Sequence, residues 1–596
     1  MRRLIENRWF PIAEFVLVLA CGTILYLHPS WGVWMILIAF LPWVGRIAAG
    51  RFPYQRTVFD IPIFIFLLTA LVGVWAAYNS AAATAKFWLI VVSTLLYYAA
   101  ARQSDNDLWI ICGILAGLAA LLSLFIFLTF DWQSLSVSTK LLSFLGQSGN
   151  DIVPPGILAT INANMTGGIL AIIFPFNLAF GIEARRRQRA GFFYLSVAFG
   201  LIIAMGLILT SSRGAWAALA AGLGLWLLWK ISRWLGKPGT IRHKLIFASV
   251  LATGLVIVSL ALAIYPNKII SLANLIPGAD TAQSRVDIAR NTLYLIEDFP
   301  FTGGGLASFA GLYSRYILLI PNFIFGYSHN LYLDIFLEQG LIGFTVFFVV
   351  IIGSLVLLVT RQMDQVMRWA ILAAMVTLLL HGMIDDAIYG VEGTALLFII
   401  PGLIIAASRL PSVDAVSSQP EMPGFWGQTL IVLAPIAAIL ILFLASGFGR
   451  DAFYANLGAV YMARSELAEF PQDEWVTKDH LPVLAQAEAF FNRSLKLNPF
   501  QRTSNQRMGL LAVDRQDFPN AVTYLERAHQ AAPAHPNINK ALGYAYAWNG
   551  SKTQAAQLLR NIPGSINELE TYSWWWIQQG RNDLSLIAAT LADALR

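Results

Sequence analysis

Apolar runs long enough to cross a bilayer follow one another through most of the chain. Taken in order they predict spans near 10–28, 31–48, 60–77, 85–101, 108–130, 157–182, 192–210, 214–231, 245–265, 340–359, 368–384, 393–408 and 428–447, thirteen in all. Each is close to the ~20 residues that a helix needs to cross the hydrocarbon core. Between the ninth and tenth lies a long, mostly polar connection, residues 266–337. Long ordered loops usually carry function. After about residue 448 the pattern becomes that of a soluble helical domain. There Gly509 recurs as Gly543, Ala487 as Ala521 and Ala555, Phe491 as Leu525 and Leu559, and Pro499 as Pro533, a period of 34 residues. That is the period of tetratricopeptide-like helix pairs, with small residues where helices cross and proline closing a unit.

The expected fold class is therefore all-α: a polytopic membrane helical bundle with a large outer loop and a C-terminal helical repeat domain. Residues 1–408 read as the membrane core including loop 266–337, 409–447 as a proline-bearing inner linker and last span, and 448–596 as the repeat domain. Repeat arrays suit the binding of a peptide, a glycan carrier or a partner protein. A structural cap is the alternative.

Composition agrees. Hydrophobic residues make up 57% and charged residues 12%, where a soluble domain has about 25% charged; the mean hydropathy is +0.63. The formal charge of +6 does not signal nucleic acid, because the basic residues sit in short loops. Arg2, Arg3 and Arg8 precede the first span; Arg46, Arg51 and Arg56 follow the second; Arg185, Arg186, Arg187 and Arg189 follow the sixth; Lys230, Arg233, Lys237, Arg242 and Lys244 follow the eighth. All fall on one side if the N-terminus is cytoplasmic. Loops 131–156, 266–337 and 385–392, the turn Ser211-Ser212-Arg213-Gly214 and everything after about 448 then lie outside the cytoplasm. Chemistry there has no access to ATP or nucleotide sugars, so its substrates must already be exported. Cys21 and Cys112 both lie in apolar runs and build neither a disulfide framework nor a metal site. Val18-Leu19-Ala20-Cys21 fits a lipoprotein processing site poorly at Leu19, so a retained first helix is expected.

The candidate chemistry concentrates on the outer side. Arg213 opens a span beside Ser212, and an arginine at bilayer depth costs about 2.5–3.5 kcal/mol unless it has a task or reaches the interface. Arg285, with Arg290 one turn on, offers guanidinium forks that match phosphate oxygens. Gly303-Gly304-Gly305 presents backbone N–H groups for an anion, or a plain turn. His329, beside Ser328, Asn330 and Tyr332, can take a proton from an attacking hydroxyl or steady a phosphate. His381 and Asp385 stand at the i,i+4 spacing of one helix face. Asp385, Asp386 and Glu392 read as solvated turn acids rather than metal ligands. No P-loop, dinucleotide fingerprint or nucleophile elbow occurs in a supporting context, so no cofactor is expected.

At these residues the chain resembles the O-antigen ligase and O-antigen polymerase family of bacterial envelope proteins. The resemblance rests on Ser212-Arg213-Gly214-Ala215-Trp216, on Arg285 followed by Phe299-Pro300-Phe301-Thr302-Gly303-Gly304-Gly305, on Ser328-His329-Asn330-Leu331-Tyr332-Leu333 with Glu338-Gln339-Gly340-Leu341-Ile342-Gly343, and on Asn162-Ala163-Asn164-Met165-Thr166-Gly167-Gly168. It covers roughly residues 150–410. It implies a GT-C-like, metal-independent glycosyltransferase that moves a glycan from a polyprenyl-diphosphate carrier to a glycolipid, glycan or protein acceptor. Arg213 and Arg285 would hold the diphosphate and His329 would activate the acceptor hydroxyl, with Ser212, Asn330, Arg290, Asn164, Gly304, His381 and Asp385 around the substrate. Ala289 stands where the family often has an aromatic residue, and the repeat domain exceeds the core of the lipid A-core ligases. The thirteenth span exceeds that core as well, and this excess leaves a polymerase or a protein O-oligosaccharyltransferase open beside a ligase. A lipid-linked glycan transporter and a non-catalytic scaffold are the readings from other classes.

Overall fold

The computed structural model describes residues 5–129, 162–235, 279–320, 324–390, 392–408, 449–471 and 484–596. Every regular element among them is a helix. Eight of these helices are long and apolar enough to cross a membrane: Phe10–Leu27, Pro29–Ala48, Ser80–Ala101, Asn106–Leu128, Ala163–Arg186, Ala190–Leu209, Arg213–Ser232 and Leu331–Thr360. Three shorter apolar helices, Asp60–Ala76, Gln365–His381 and Thr394–Ala407, coincide with further expected spans. The spans expected near 245–265 and 428–447 and the linker 409–427 lie outside the described residues. This is a multi-pass membrane protein.

Helical periodicity separates the lipid-facing sides from the interior. On Gly32–Ala48 the residues Val33, Leu37, Leu41 and Val44 are each more than half exposed, while Met35, Ile36 and Ala39 are buried. An outward apolar stripe suits a bilayer, where no water penalises it. Arg46 on the inward side is buried because Glu14 of the neighbouring helix accepts from both of its terminal nitrogens. Ala163–Arg186 is the hub, with 83% of its apolar window buried. It packs on Asp105–Thr129, Ala190–Leu209, Arg213–Leu235 and Gln365–His381.

The span expected to start at residue 340 follows a break at Gly340 that divides it from a preceding helical stretch. The helix begins at Leu331, where the Asn330 carboxamide accepts from the N–H groups of Tyr332 and Leu333, and it runs to Thr360 with a break at Gly340 (φ 68°, ψ −172°). Its first turns look loop-like in sequence because they carry Asp334, Glu338 and Gln339. All are buried and partnered. Asp334 accepts the Ser328 N–H at 3.0 Å, Glu338 pairs with Lys86 at 2.7 Å, and Gln339 bonds Thr69 and Tyr389, each at 2.8 Å. At the break, Gly340 and Gly303 (φ 71°) adopt left-handed backbone. A Cβ on Gly303 would fall 2.4 Å from the Glu338 carbonyl, so only glycine permits the contact.

The C-terminal residues form antiparallel helix pairs, beginning with Arg450–Glu466 on Ala485–Leu497, Arg502–Asp514 on Phe518–Ala531 and Pro536–Trp548 on Lys552–Leu559. One contact recurs in each pair. Gly458 lies against Phe491, Gly509 against Leu525 and Gly543 against Leu559, so closely that an added Cβ would come within 2.5, 2.5 and 2.7 Å. The 34-residue spacing is thus a repeat of side-chain volume at a helix crossing. The first helix of each pair contributes to one common face, and that face holds this chain's own residues 298–318. Asn456 bonds the Phe301 and Thr302 N–H groups, Arg502 and Arg507 hold Asp298, Glu466 and Asp514 hold Arg315, and Lys540 bonds the Leu318 carbonyl.

Candidate active site

The site is assembled where two helix ends are bolted together. The helix Gln365–His381 stops at Gly382, and the turn after it docks on the start of the Leu331 helix. Leu331 N–H bonds the Gly382 carbonyl at 2.8 Å, the Asn330 amide donates to the Met383 carbonyl at 3.2 Å, and the Tyr332 hydroxyl donates to the Leu379 carbonyl at 2.8 Å. These bonds bring His329, just before one helix, beside Asp385, just after the other.

His329 is held in a left-handed conformation (φ 55°), a region that a non-glycine residue adopts only when its surroundings dictate it. Its ring lies 4.2 Å from that of Tyr327, whose hydroxyl accepts from the Asn162 amide at 2.6 Å. Asn162 also caps the hub helix. The His329 Nδ1 is 3.3 Å from Asp385 Oδ2, and Arg285 Nη2, from the helix Ala279–Ile296, is 3.3 Å from the same oxygen. Arg285 keeps 28% of its side chain exposed, while Asp385 keeps 1%. The arrangement is a buried anion with two partly exposed groups aimed outward from it.

Arg213 opens the helix Arg213–Leu235 and is exposed. Its neighbours fix its place. A Cβ on Gly214 would lie 3.2 Å from Ile384, the residue before Asp385, and buried Ser212 lies against Gly167 of the hub helix. One position further on, a Cβ on Gly168 would be 2.5 Å from the His381 ring. The Arg213 turn and the Asp385 turn therefore share a wall.

Other expected site residues are placed differently. Arg290 is 63% exposed and faces Asp287 at 3.9 Å, because five residues turn a helix by ~500° and carry Arg290 off the Arg285 face. The Gly304 N–H is taken by the Leu337 carbonyl at 2.6 Å and the Gly303 N–H by the Phe299 carbonyl at 3.1 Å, so neither faces an anion. Asn330 spends its oxygen on the helix cap and its nitrogen on Met383. Asn164 is in the first turn of the hub helix, with its N–H on the Asn162 side chain. His381 and Asp385 do not share a helix face, because the helix ends at His381; the Asp385 N–H instead bonds the His381 carbonyl at 2.8 Å. His381 is buried against Gly168, and neither ring nitrogen has a hydrogen-bond partner among the described residues.

Burial works to raise the Asp385 carboxyl, but the His329 hydrogen bond, the charges of His329 and His381 and the Asp386 N–H outweigh it and hold the group below the usual carboxylate range. Burial, then the Asp385 charge, pushes the Tyr327 phenol up. The neighbouring acids point elsewhere. Glu392 accepts from the Asn162 N–H and the Thr166 hydroxyl at 3.1 and 3.2 Å, and Asp386 accepts the Tyr389 N–H at 2.9 Å. Among the described residues no group of three or more His, Cys, Asp and Glu side chains is arranged to hold a metal ion.

Sequence reasoning missed the Asn162–Tyr327 and Lys86–Glu338 pairs. Lys86 carried a usable signal, since an ionisable residue inside an apolar span needs a partner. Asn162 opens one of the motifs quoted above, but its pairing with Tyr327 carried no signal, because it depends on a contact across 165 residues.

No curated protein and no solved structure gives a significant match to the chain. A family model, Wzy_C, described as O-antigen ligase, matches residues 198–348. The match contains Arg213, Arg285 and His329 and stops short of Asp385. Over these residues the chain is similar to the O-antigen ligase family.

Proposed function

We propose that this membrane enzyme transfers a glycan from a polyprenyl-diphosphate carrier to an acceptor hydroxyl at the outer face of a bacterial inner membrane. The observation that carries the reading is the convergence of Arg285 and His329 on Asp385 Oδ2 at 3.3 Å each. Asp385 fixes the His329 ring through Nδ1, which leaves Nε2 to accept the proton of the acceptor hydroxyl. The acceptor oxygen attacks C1 of the donor sugar from the face opposite the diphosphate. The C1–O bond breaks, its electron pair leaves with the diphosphate, and the anomeric centre inverts. Arg285 touches Asp385 through one nitrogen and retains N–H groups for phosphate; Arg213, exposed at the shared wall, supplies the second guanidinium. Two cations set beforehand around a developing anion lower its energy without reorganisation at the moment of reaction. The step needs no metal ion.

Proposed sidedness follows the basic loops, and the proposed architecture is a thirteen-span, GT-C-like core with tetratricopeptide-like pairs. Ligase, polymerase and protein oligosaccharyltransferase share this chemistry and differ in the acceptor. The test is in vitro transfer with purified lipid-linked donor. Arg213→Ala, Arg285→Ala and His329→Ala should each accumulate in the membrane and lose transfer. Full activity in all three ends the proposal.

A further inference from the structure

The helix that carries Arg285 is anchored at its other end by the C-terminal repeats. Asp298 follows that helix by two residues and is 4% exposed. Its Oδ1 accepts from Arg502 at 2.7 Å and from the Thr503 hydroxyl at 2.9 Å, and its Oδ2 accepts from Arg507 at 2.6 Å. Arg507 is fully buried, with its guanidinium 3.3 Å from the Tyr316 ring centre. One turn earlier, Tyr294 lies 4.3 Å from the His535 ring. Arg315, further along the same outer segment, pairs with both Glu466 oxygens and with Asp514.

Helix stability does not explain Asp298. A carboxylate at a helix C-terminus faces the negative end of the helix dipole and is disfavoured there. Two arginines and a hydroxyl from the repeats reverse that balance, and removing one partner of such a buried set leaves an uncompensated charge. The helix then acts as a rod. Arg285 and Ile296 are about 17 Å apart along it at ~1.5 Å per residue, so a tilt of ~10° moves Arg285 by about 3 Å. That displacement is comparable to the whole 3.3 Å contact with Asp385.

We propose that the repeat domain is a positioning element of the transferase: Asp298, gripped by Arg502, Thr503 and Arg507, sets where Arg285 meets the diphosphate. This rests on the reading that Arg285 holds the diphosphate. The domain is therefore part of the enzyme and not a detachable recruiter, and Asp298 acts only through Arg285.

Binding of undecaprenyl diphosphate to the full chain in nanodiscs tests this, with thermal unfolding recorded for every variant. Arg285→Ala should weaken binding by about 10-fold or more, as loss of a charge-assisted contact does. Asp298→Asn should weaken it several-fold, and Asp298→Asn combined with Arg285→Ala should bind no worse than Arg285→Ala alone. If Asp298→Asn does not fold, Thr503→Val, which removes one donor and keeps the volume, should show the same non-additive loss. A spin label at the exposed position of Arg290→Cys, paired with one at Asp364→Cys, should give a broader distance distribution when Asp298 or Thr503 is changed. Wild-type binding by a folded Asp298→Asn, or additive losses in the double variant, overturns the positioning role. Wild-type binding by Arg285→Ala overturns the diphosphate reading instead.

Discussion

Arg285 and His329, 44 residues apart in sequence, reach the same oxygen, Oδ2 of Asp385, each at 3.3 Å. On the proposed reading, a cation and an imidazole on one buried carboxylate couple phosphate binding to proton transfer: whatever turns Asp385 turns both.

Asp385→Asn should therefore cost more than a hydrogen bond. The amide removes the charge that orients the His329 ring and steadies its protonated form, a role worth about 10²–10⁴ in rate for general-base chemistry. Transfer assays on purified protein should show kcat falling by about that factor while expression and thermal unfolding hold. A loss under about threefold would contradict the role given to Asp385.

The two loop arginines separate cleanly. Arg290 is 63% exposed with a single partner at 3.9 Å, and exposed pairs of that kind contribute about 0–1 kcal/mol. Arg290→Ala should leave transfer within about twofold of wild type, in the same assay in which Arg285→Ala abolishes it. Equal losses would mean that both face the donor.

The Lys86–Glu338 pair, 5% exposed on each side at 2.7 Å, should dominate stability near the site. Lys86→Met leaves the Glu338 carboxylate buried without its cation and should cost about 3–5 kcal/mol. Lys86→Met with Glu338→Gln should recover part of it, since the Ala307 N–H still has an oxygen to bond. Thermal unfolding in detergent of the two single variants and the double variant measures the coupling.

Gly168→Val should inactivate without touching a charged group. A Cβ there falls 2.5 Å from both His381 and Ala387 and must displace the turn that carries Asp385. Gly191→Ala, which meets nothing within 4 Å, is the control and should behave as wild type in transfer.

The repeats should weaken with mild acid. Burial, with the charge of Arg502 and despite Asp298, pushes His535 down to about 4, whereas an unfolded histidine titrates near ~6.5. The unfolded chain thus binds the proton first as pH falls. Stability is full above ~6.5 and is lost between ~6.5 and about 4, on the order of 3 kcal/mol. Unfolding temperature against pH should show that slope in wild type and a flatter one in His535→Asn, which keeps a side-chain cap for the Ile538 N–H.

Much of this protein is written locally. Apolar runs specify most spans, because a helix that satisfies its own backbone is the economical way through lipid. The recurrence of Gly509 as Gly543 and of Leu525 as Leu559 specifies the helix pairs, because a small residue must oppose a large one at each crossing. Arg213, Arg285 and His329 stand out because cations and an imidazole between apolar runs need a reason.

Tertiary structure decided what those signals left open. Sequence spacing suggested that Arg290 accompanies Arg285, that Gly304 cradles an anion and that His381 pairs with Asp385 on one helix; helix phase, a backbone contact with Leu337 and a helix ending at His381 replace each in turn. Asp334, Glu338 and Gln339 look like loop residues until the Ser328 N–H bonds the first, Lys86 of another helix neutralises the second, and Thr69 and Tyr389 bond the third. The grip of Arg502 and Arg507 on Asp298 spans more than 200 residues. Local pattern reports which segments leave water, whereas partnership between distant charges exists only once the folded chain has brought them within reach.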